Sequence, residues 1–379
     1  MPATLTARTR PLCVDLDGTL LATDILWESV VLLARTRPAK LFLLPFWLLG
    51  GKARLKRRLA QEVAPDPRTL PYRPEVLALL DAEHRCGRPL ILATASDIGI
   101  ARSIAEHLRI FTTVIGSDGT TNAAGVHKLR ALQEHCAGTG FDYIGDSRAD
   151  LPLWRAADGA IVVDPPRRLL ARVTREARVR QVLRPARPGV RTFLRALRVH
   201  QWTKNGLLFV PVLLGHQLTD PGVLLRAAIA FIAFSLCASA VYITNDLLDL
   251  EADRAHPRKK NRPFAAGLLA IPTGLALVPA LLALAFGLSV ALLPPLFTAV
   301  LGGYLVVSTA YSLYIKRLLL LDVFLLAGLY TLRVLAGGVA TAIVISPWLA
   351  AFSMFFFTSL AFLKRYSELR LLHERQMTA

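Results

Sequence analysis

Short apolar runs punctuate the first 165 residues, and three of them end in carboxylates or a hydroxyl. They are "LCVDLDGTL" at 12–20, "PLILATAS" at 89–96 and "FDYIGDSRAD" at 141–150, with "AIVV" at 160–163 as a fourth. Apolar runs of this length, separated by helix-length stretches, predict a parallel, doubly wound α/β sheet. From residue 205 the pattern changes to long runs of Leu, Ala, Val and Phe. A helix needs about 20 such residues to cross a bilayer. Six candidate spans follow, at about 205–219, 223–244, 268–292, 295–314, 320–343 and 347–363; the first is short and carries His216.

Composition agrees with a division into parts. The chain has 379 residues, 54% hydrophobic, with a formal net charge of +18. Residues 1–165 read as a soluble domain and 205–379 as a membrane domain. Between them, 166–204 holds eleven Arg and one Lys against a single acid, Glu176. Because it leads into the first span, this stretch is read as a juxtamembrane helix on anionic lipid, at about 1 kcal/mol per basic residue, rather than as a nucleic-acid site. Basic links at 245–263, at Lys316–Arg317 and at Lys364–Arg365 alternate with uncharged links near Pro294–Pro295 and Ser346–Pro347. The positive-inside rule then places the basic links and the N-terminal domain in the cytoplasm, on a multi-pass protein of the cell (inner) membrane. The first 30 residues show no signal-peptide pattern. Cys13, Cys86, Cys136 and Cys237 are scattered without metal-ligand spacing,.

The soluble domain carries phosphoryl-transfer chemistry. Ligands of doubly wound sheets bind beyond the carboxyl ends of the strands, where all these polar residues fall. A carboxylate such as Asp15 can attack phosphorus, and Asp17, two residues on, can act as general acid and then base. Asp15 and Asp146 are hard oxygen ligands suited to Mg²⁺. Thr94, and Lys128 in "GVHKLRAL", can neutralise phosphate oxygens. In this order the four pieces resemble the haloacid dehalogenase superfamily of phosphatases. The resemblance makes Asp15 and Asp17 its first motif, Thr94 its second, Lys128 its third, and Asp146 with Asp150 its fourth. It also implies that 24–75 is a small helical cap selecting the substrate. Within the cap, "KLFLLPFWLLGGK" (40–52) is apolar but too short to span; it either dips into the membrane surface or forms a buried cap helix.

The segment "NDLLDLEADRAHPRKKNRP" (245–263) sits between two apolar stretches. Spacings of three and four stack Asp246, Asp249 and Asp253 on one helical face, where like charges repel unless a cation sits among them. Mg²⁺ prefers a few carboxylates plus phosphate oxygens. The acids, beside Arg254, Lys259 and Arg262, therefore suit a metal–diphosphate complex, with the basic residues taking charge that grows on departing diphosphate.

This segment resembles the first motif, NDxxDxxxD, of the UbiA-type prenyltransferase superfamily. Its extension through "FAAG" is similar to one branch, decaprenyl-phosphate phosphoribosyltransferase. "LRVHQWTKN" (197–205), "YSLYIKR" (311–317), "LRVLAGG" (332–338) and "KRYSEL" (364–369) support that match. Where aromatic-substrate members carry a second Asp-rich motif, this chain has "KRYSELR", with Glu368 as its only acid. The resemblance implies Mg²⁺-dependent transfer of 5-phosphoribosyl from phosphoribosyl diphosphate to polyprenyl phosphate, supplying a cell-wall arabinan precursor. Asn245, Lys204, His256, Lys316, Arg317, Lys364, Arg365 and Glu368 join the arginines and Lys259 as substrate-binding candidates. The alternatives are a prenyl-diphosphate enzyme with an aromatic acceptor, or a truncated protein whose membrane half anchors a phosphatase. The expected architecture is thus a Rossmann-like α/β domain with a helical cap, then an all-α UbiA-like bundle. Against the superfamily's nine spans that bundle is incomplete at the C-terminus.

Overall fold

The computed structural model describes residues 10–119, 123–185, 188–313 and 319–377. The chain divides into two compact units. One is residues 1–192 with 246–272, and the other is 193–245 with 273–379.

Six parallel strands form the sheet of the first unit: β1 (Leu12–Val14), β2 (Leu90–Asp97), β3 (Thr113–Ser117), β4 (Asp142–Gly145), β5 (Gly159–Val163) and β6 (Val179–Leu183). Their order is β3-β2-β1-β4-β5-β6, so the chain reverses direction across the sheet between β1 and β4. The register sets Val14 against Leu92 on one side and Ile144 on the other. Strand residues alternate between two cores. Leu12, Val14, Leu90, Leu92 and Ile144 pack with Val76 and Leu80 of α4 (Pro74–Arg85) and with Ile100 and Ile104 of α5 (Ile98–Leu108). Cys13, Ile91, Tyr143 and Val162 pack on the opposite face. Their partners are Leu132 of α6 (Val126–His135), Trp154 of α7 (Leu151–Ala156) and Val173 of α8 (Arg167–Glu176). Burial on both faces is what makes these strands continuous apolar runs.

Two strands escaped the sequence reading. Both are edge strands, half-exposed and therefore less apolar. The second corrects the basic linker: α8 and β6 lie inside 166–204, and they belong to the sheet domain. Leu169 and Val173 are buried in its core, and Ile161 is registered with Gln181 of β6. Only α9 (Val190–Ala196) and the turns beyond it remain of a juxtamembrane segment.

The cap expected at 24–75 is helical. It contains α1 (Ile25–Thr36), a tighter turn at Pro38–Leu43, α2 (Leu44–Leu49) and α3 (Lys52–Glu62). Asp24 caps α1 by accepting from Leu26 N at 2.8 Å. Leu33, Leu55, Leu59 and Val63 give the cap a small core of its own.

The second unit is helical. Five described helices are long and apolar enough to cross a membrane: Pro221–Leu248, Ile271–Leu292, Pro295–Ser312, Leu321–Thr341 and Pro347–Ser367. They belong to α11 (Pro221–Leu248), α13 (Ile271–Leu292), α14 (Pro295–Leu313), α15 (Leu319–Thr341) and α16 (Pro347–Met377). The chain is a multi-pass membrane protein. The sixth expected span, 205–219, does not form. Val199–Phe209 coils as a tight 3₁₀ turn, and α10 (Val210–Leu214) covers five residues before Gly215. Even fully helical, its 15 residues would reach about 22 Å, short of the ~30 Å hydrocarbon core.

Candidate functional site

Asp15 follows β1 and Asp146 follows β4, so the two carboxylates flank the point where the strand order reverses. Crevices at such points are where open α/β sheets bind ligands. A cavity of about 470 Å³ opens there, and Asp15, Asp17, Lys128, Asp146 and Asp150 line it. The turn after Asp15 lets the chain double back: Gly18 has φ +75°, and a Cβ there would lie 2.3 Å from Asp146 Oδ2.

Lys128, 3% exposed, reaches from α6 to the centre of the site. Its Nζ donates to Asp15 Oδ1 at 2.8 Å and to the Tyr143 hydroxyl at 3.1 Å, and lies 3.7 Å from Asp150 Oδ1. Burial disfavours its charge, but the Asp15 and Asp150 carboxylates outweigh that and hold Lys128 above its ordinary pKa. Asp150 acts as a brace. Its Oδ1 accepts from the Tyr143 hydroxyl (2.8 Å), and its Oδ2 from Ser147 N (3.0 Å) and Ser147 Oγ (3.1 Å). Asp17 is held by Ile25 N at 2.8 Å on one oxygen and Ser96 Oγ at 2.6 Å on the other.

Burial pushes Asp15 up to about 8, the Lys128 charge opposing it. Asp146 is pushed up to about 7 by burial and then by Asp150. Oxygens of Asp15, Asp146 and Asp150 lie within 4.8 Å of one another. Three close carboxylates, two of them reluctant to ionise, form a hard-oxygen donor set that fits Mg²⁺. Thr94 is fully buried, with its hydroxyl 3.5 Å from Asp17 Oδ2, and the cavity wall at that point is Ala95.

Several further wall residues carry no mark in the sequence. Lys56 of α3 reaches the cavity and donates to the Ala95 carbonyl at 2.6 Å; Arg73 Nε donates to the Gly18 carbonyl at 3.0 Å. Trp27 and Asp24 line the same wall, as do Ala270, Ile271 and Pro272. Nothing local marks Lys56 among its basic neighbours; only the folded cap brings it in.

The acidic segment is built differently from its sequence reading. Asp249 stands at the joint between α11 and α12 (Leu250–Ala255), with φ −100° and ψ 18°, so the face carrying the three acids is broken there. Asp246 and Asp253, both 2% exposed, accept from one Arg262 nitrogen at 3.1 and 2.6 Å. Asp249 lies 3.8 Å from Arg35 of α1. Arg254 is turned away to a buried pair with Glu28 of α1, and its Nε donates to the Ala265 carbonyl. His256 Nδ1 accepts from Arg258 N and Lys259 N, and Lys259 is exposed.

In the second unit, Asn205 and Arg333 are buried. Arg333 Nε donates to Asn205 Oδ1 at 2.9 Å, and its guanidinium lies 5.2–5.4 Å from the ring centres of Phe234, Tyr304 and Tyr330. Lys204 Nζ stands 5.9 Å from the Tyr330 ring centre. Burial lowers its pKa, and repulsion from Arg333 and Lys364 adds to this. Asn245 is half-buried near the end of α11, Lys364 is exposed and Arg365 is half-buried on α16. Lys316, Arg317 and the Glu368 side chain lie outside the described residues.

The sheet with its acidic cavity, and the five apolar helices, define the class. The chain belongs to a family that joins a haloacid dehalogenase-like hydrolase domain, matched at residues 12–155, to a UbiA prenyltransferase domain, matched at 208–371. Among its relatives, uncharacterized protein y4nM of Sinorhizobium fredii is 42% identical over 364 residues, covering 95% of this chain and 70% of that protein. Nodulation protein NoeC of Azorhizobium caulinodans is 41% identical over 180 residues, covering 47% of this chain and 57% of that protein. The decaprenyl-phosphate phosphoribosyltransferase of Corynebacterium glutamicum is 39% identical over 185 residues, covering 48% of this chain and 55% of that protein. The chain thus spans little more than half the length of the last two.

Proposed function

We propose that the membrane domain transfers 5-phosphoribosyl from phosphoribosyl diphosphate to polyprenyl phosphate, and that the hydrolase domain then removes the 5-phosphate of the lipid product. The transfer half of this reading is supported by the 39% identity to a decaprenyl-phosphate phosphoribosyltransferase. The hydrolase half is carried by one observation: Asp15, Asp17, Lys128, Asp146 and Asp150 converge on a cavity whose wall continues into Ile271 and Pro272, the first residues of a membrane-spanning helix.

On this proposal Asp15 attacks the phosphorus of the monoester, and the bond to the sugar oxygen breaks as Asp17 protonates that oxygen. Water then attacks the aspartyl-phosphate, its proton passes to Asp17, and inorganic phosphate leaves with Asp15 regenerated. Lys128 balances charge on the transferring group, and Asp150 with Tyr143 holds Lys128 in place. Asp15, Asp146 and Asp150 would hold Mg²⁺, which when bound neutralises phosphate oxygens and favours the ionised carboxylates. In the acidic segment, Asp246, Asp249 and Asp253 would bind the donor's diphosphate through Mg²⁺, with Arg262, bonded to Asp246 and Asp253, meeting its oxygens; Asn245 and Lys259 remain candidates from the sequence. Lys204, Lys364 and Arg365 are then candidates for the sugar 5-phosphate or the lipid phosphate, on a cytoplasmic face of the inner membrane.

The reading is tested with the full chain in lipid nanodiscs, supplied with labelled phosphoribosyl diphosphate, polyprenyl phosphate and Mg²⁺. Asp246→Asn/Asp249→Asn should abolish lipid labelling. Asp15→Asn should leave labelling intact and make the 5-phosphorylated lipid accumulate. If the wild-type chain, given that lipid and Mg²⁺, releases no phosphate, the coupled pathway is wrong. A prenylated aromatic product would favour the aromatic prenyltransferase reading instead.

A further inference from the structure

The cap carries an apolar surface that the hydrolase fold does not cover. Along Pro38–Leu49, Leu41, Leu44 and Trp47 recur every three residues and pack on the cap core of Leu33, Leu55, Leu59 and Val63. The residues between them point outward: Phe42 is 80% exposed, Phe46 68% and Leu49 86%, with Leu43 and Leu48 also exposed. A helix that is apolar on both its packed and its outer face requires a second apolar cover.

The charge around this surface is one-sided. Between Arg37 and Gln61 the chain has seven Lys or Arg and no acid. Arg37 and Lys40 pair with Glu62, and Arg57 with Asp97, while Lys52, Arg54 and Arg58 of α3 are exposed. Gly51, with φ +93°, makes the turn that sets the first turn of α3 directly after α2. The outcome is an apolar knob of Phe and Leu with a basic rim, the chemistry of an interfacial anchor on anionic lipid. A bilayer is always within reach, because five spans of the same chain sit in one.

We infer that the outer face of Pro38–Leu49 inserts into the surface of an anionic bilayer, docking the cap on the membrane. The consequence for catalysis lies in α3. That helix packs on α2 and also sends Lys56 into the cavity, so a docked cap holds part of the cavity wall at the lipid surface.

The test uses the full chain in nanodiscs of mixed zwitterionic and anionic lipid. Phe46→Cys, in a Cys86→Ser background, is labelled with a polarity-sensitive fluorophore, and Glu106→Cys on α5 serves as the reference position. Docking predicts blue-shifted emission at position 46 and at least about twofold quenching by a shallow nitroxide lipid, with little of either at position 106. Lys52→Glu/Arg54→Glu/Arg58→Glu, or about 1 M salt, where the screening length falls to ~3 Å, should weaken that quenching. Emission at 46 matching that at 106 would overturn the inference. A blue shift without nitroxide quenching would overturn it too, since protein rather than lipid would then cover the face. Quenching insensitive to both charge reversal and salt would overturn the role of the basic rim. None of these readouts depends on which phosphate ester the domain hydrolyses.

Discussion

Arg254 and Glu28 form a pair in which the side chains are 6% and 4% exposed. The arginine donates to both carboxylate oxygens, at 3.0 and 2.7 Å, and Thr23 Oγ1 adds a third bond to Glu28 at 2.7 Å. Removing one partner of such a pair strands a buried charge, at a cost of about 3–5 kcal/mol. Arg254→Met is therefore expected to cost about 4 kcal/mol locally, since Glu28 keeps only Thr23 and the Ala265 carbonyl loses its donor. At 1.4 kcal/mol per decade, amides of the segment should exchange hydrogen about a thousandfold faster. Reporters are Asp253 N, bonded to the Asp249 carbonyl, and His256 N, bonded to the Asp253 carbonyl. Glu28→Met should act similarly. The double variant should cost less than either single, far below the roughly 8 kcal/mol of the two singles summed, because apolar replacement of a buried pair is close to neutral. Hydrogen-exchange mass spectrometry of the four proteins in nanodiscs measures this. Additivity within about 0.5 kcal/mol would mean that the pair contributes no coupling and does not hold the segment.

Three further outcomes are expected. Asp15 and Asp146 have pKa values raised to about 8 and about 7, so between about pH 4 and pH 8 the folded domain holds protons that the unfolded chain has released,. Without metal, stability should therefore fall as pH rises through that window, and Mg²⁺ should raise the melting temperature more at about pH 9 than at about pH 6; equal shifts would refute the site. Gly18→Ala, which drives a Cβ to 2.3 Å from Asp146 Oδ2, should lower phosphatase kcat by about a hundredfold while lipid labelling by the transferase persists,. Cysteines placed near Pro295 should react with an impermeant reagent outside intact cells, and one at Arg258 should not; labelling at Arg258 would reverse the proposed orientation.

What the sequence made legible follows burial. Strands covered on both faces, such as Leu12–Val14 and Gly159–Val163, are continuous apolar runs, and carboxylates at their ends announced the site. Edge strands are open on one side, and β6 is written "VRQVL", its Arg180 reaching across to Asp142. Its charge concealed it inside a basic stretch. Pairing partners distant in sequence were not legible either. Spacing alone set three acids in a row with basic residues free beside them, whereas Arg35 and Glu28, more than 200 residues earlier, decide where two of those groups point. The same holds for Tyr143, which in sequence is one more strand residue and in the fold supplies a hydroxyl to both Lys128 and Asp150.

The acids of the 245–263 segment are matched by arginines from two parts of the chain. Arg262 serves Asp246 and Asp253, Arg35 of the cap stands by Asp249, and Arg254 is spent on Glu28. On the proposed reading, a diphosphate bound with its metal would bring a cation to the acids, and Arg262 would exchange carboxylate oxygens for phosphate oxygens, staying charge-matched. Arg254 has no such exchange available without stranding Glu28 in the protein interior. On that proposal the two arginines divide the work: Arg262 would follow the ligand, while Arg254, paired with Glu28, ties the acidic segment to α1. That helix begins at Asp24, next to Thr23, and both line the hydrolase cavity, as do Ala270, Ile271 and Pro272 at the far end of the segment. A stretch that falls within the UbiA match is thus built into the wall of the hydrolase site. Weakening its Arg254 anchor should change phosphatase KM as well as local exchange, and an unchanged KM in Arg254→Met would separate the wall from the chemistry.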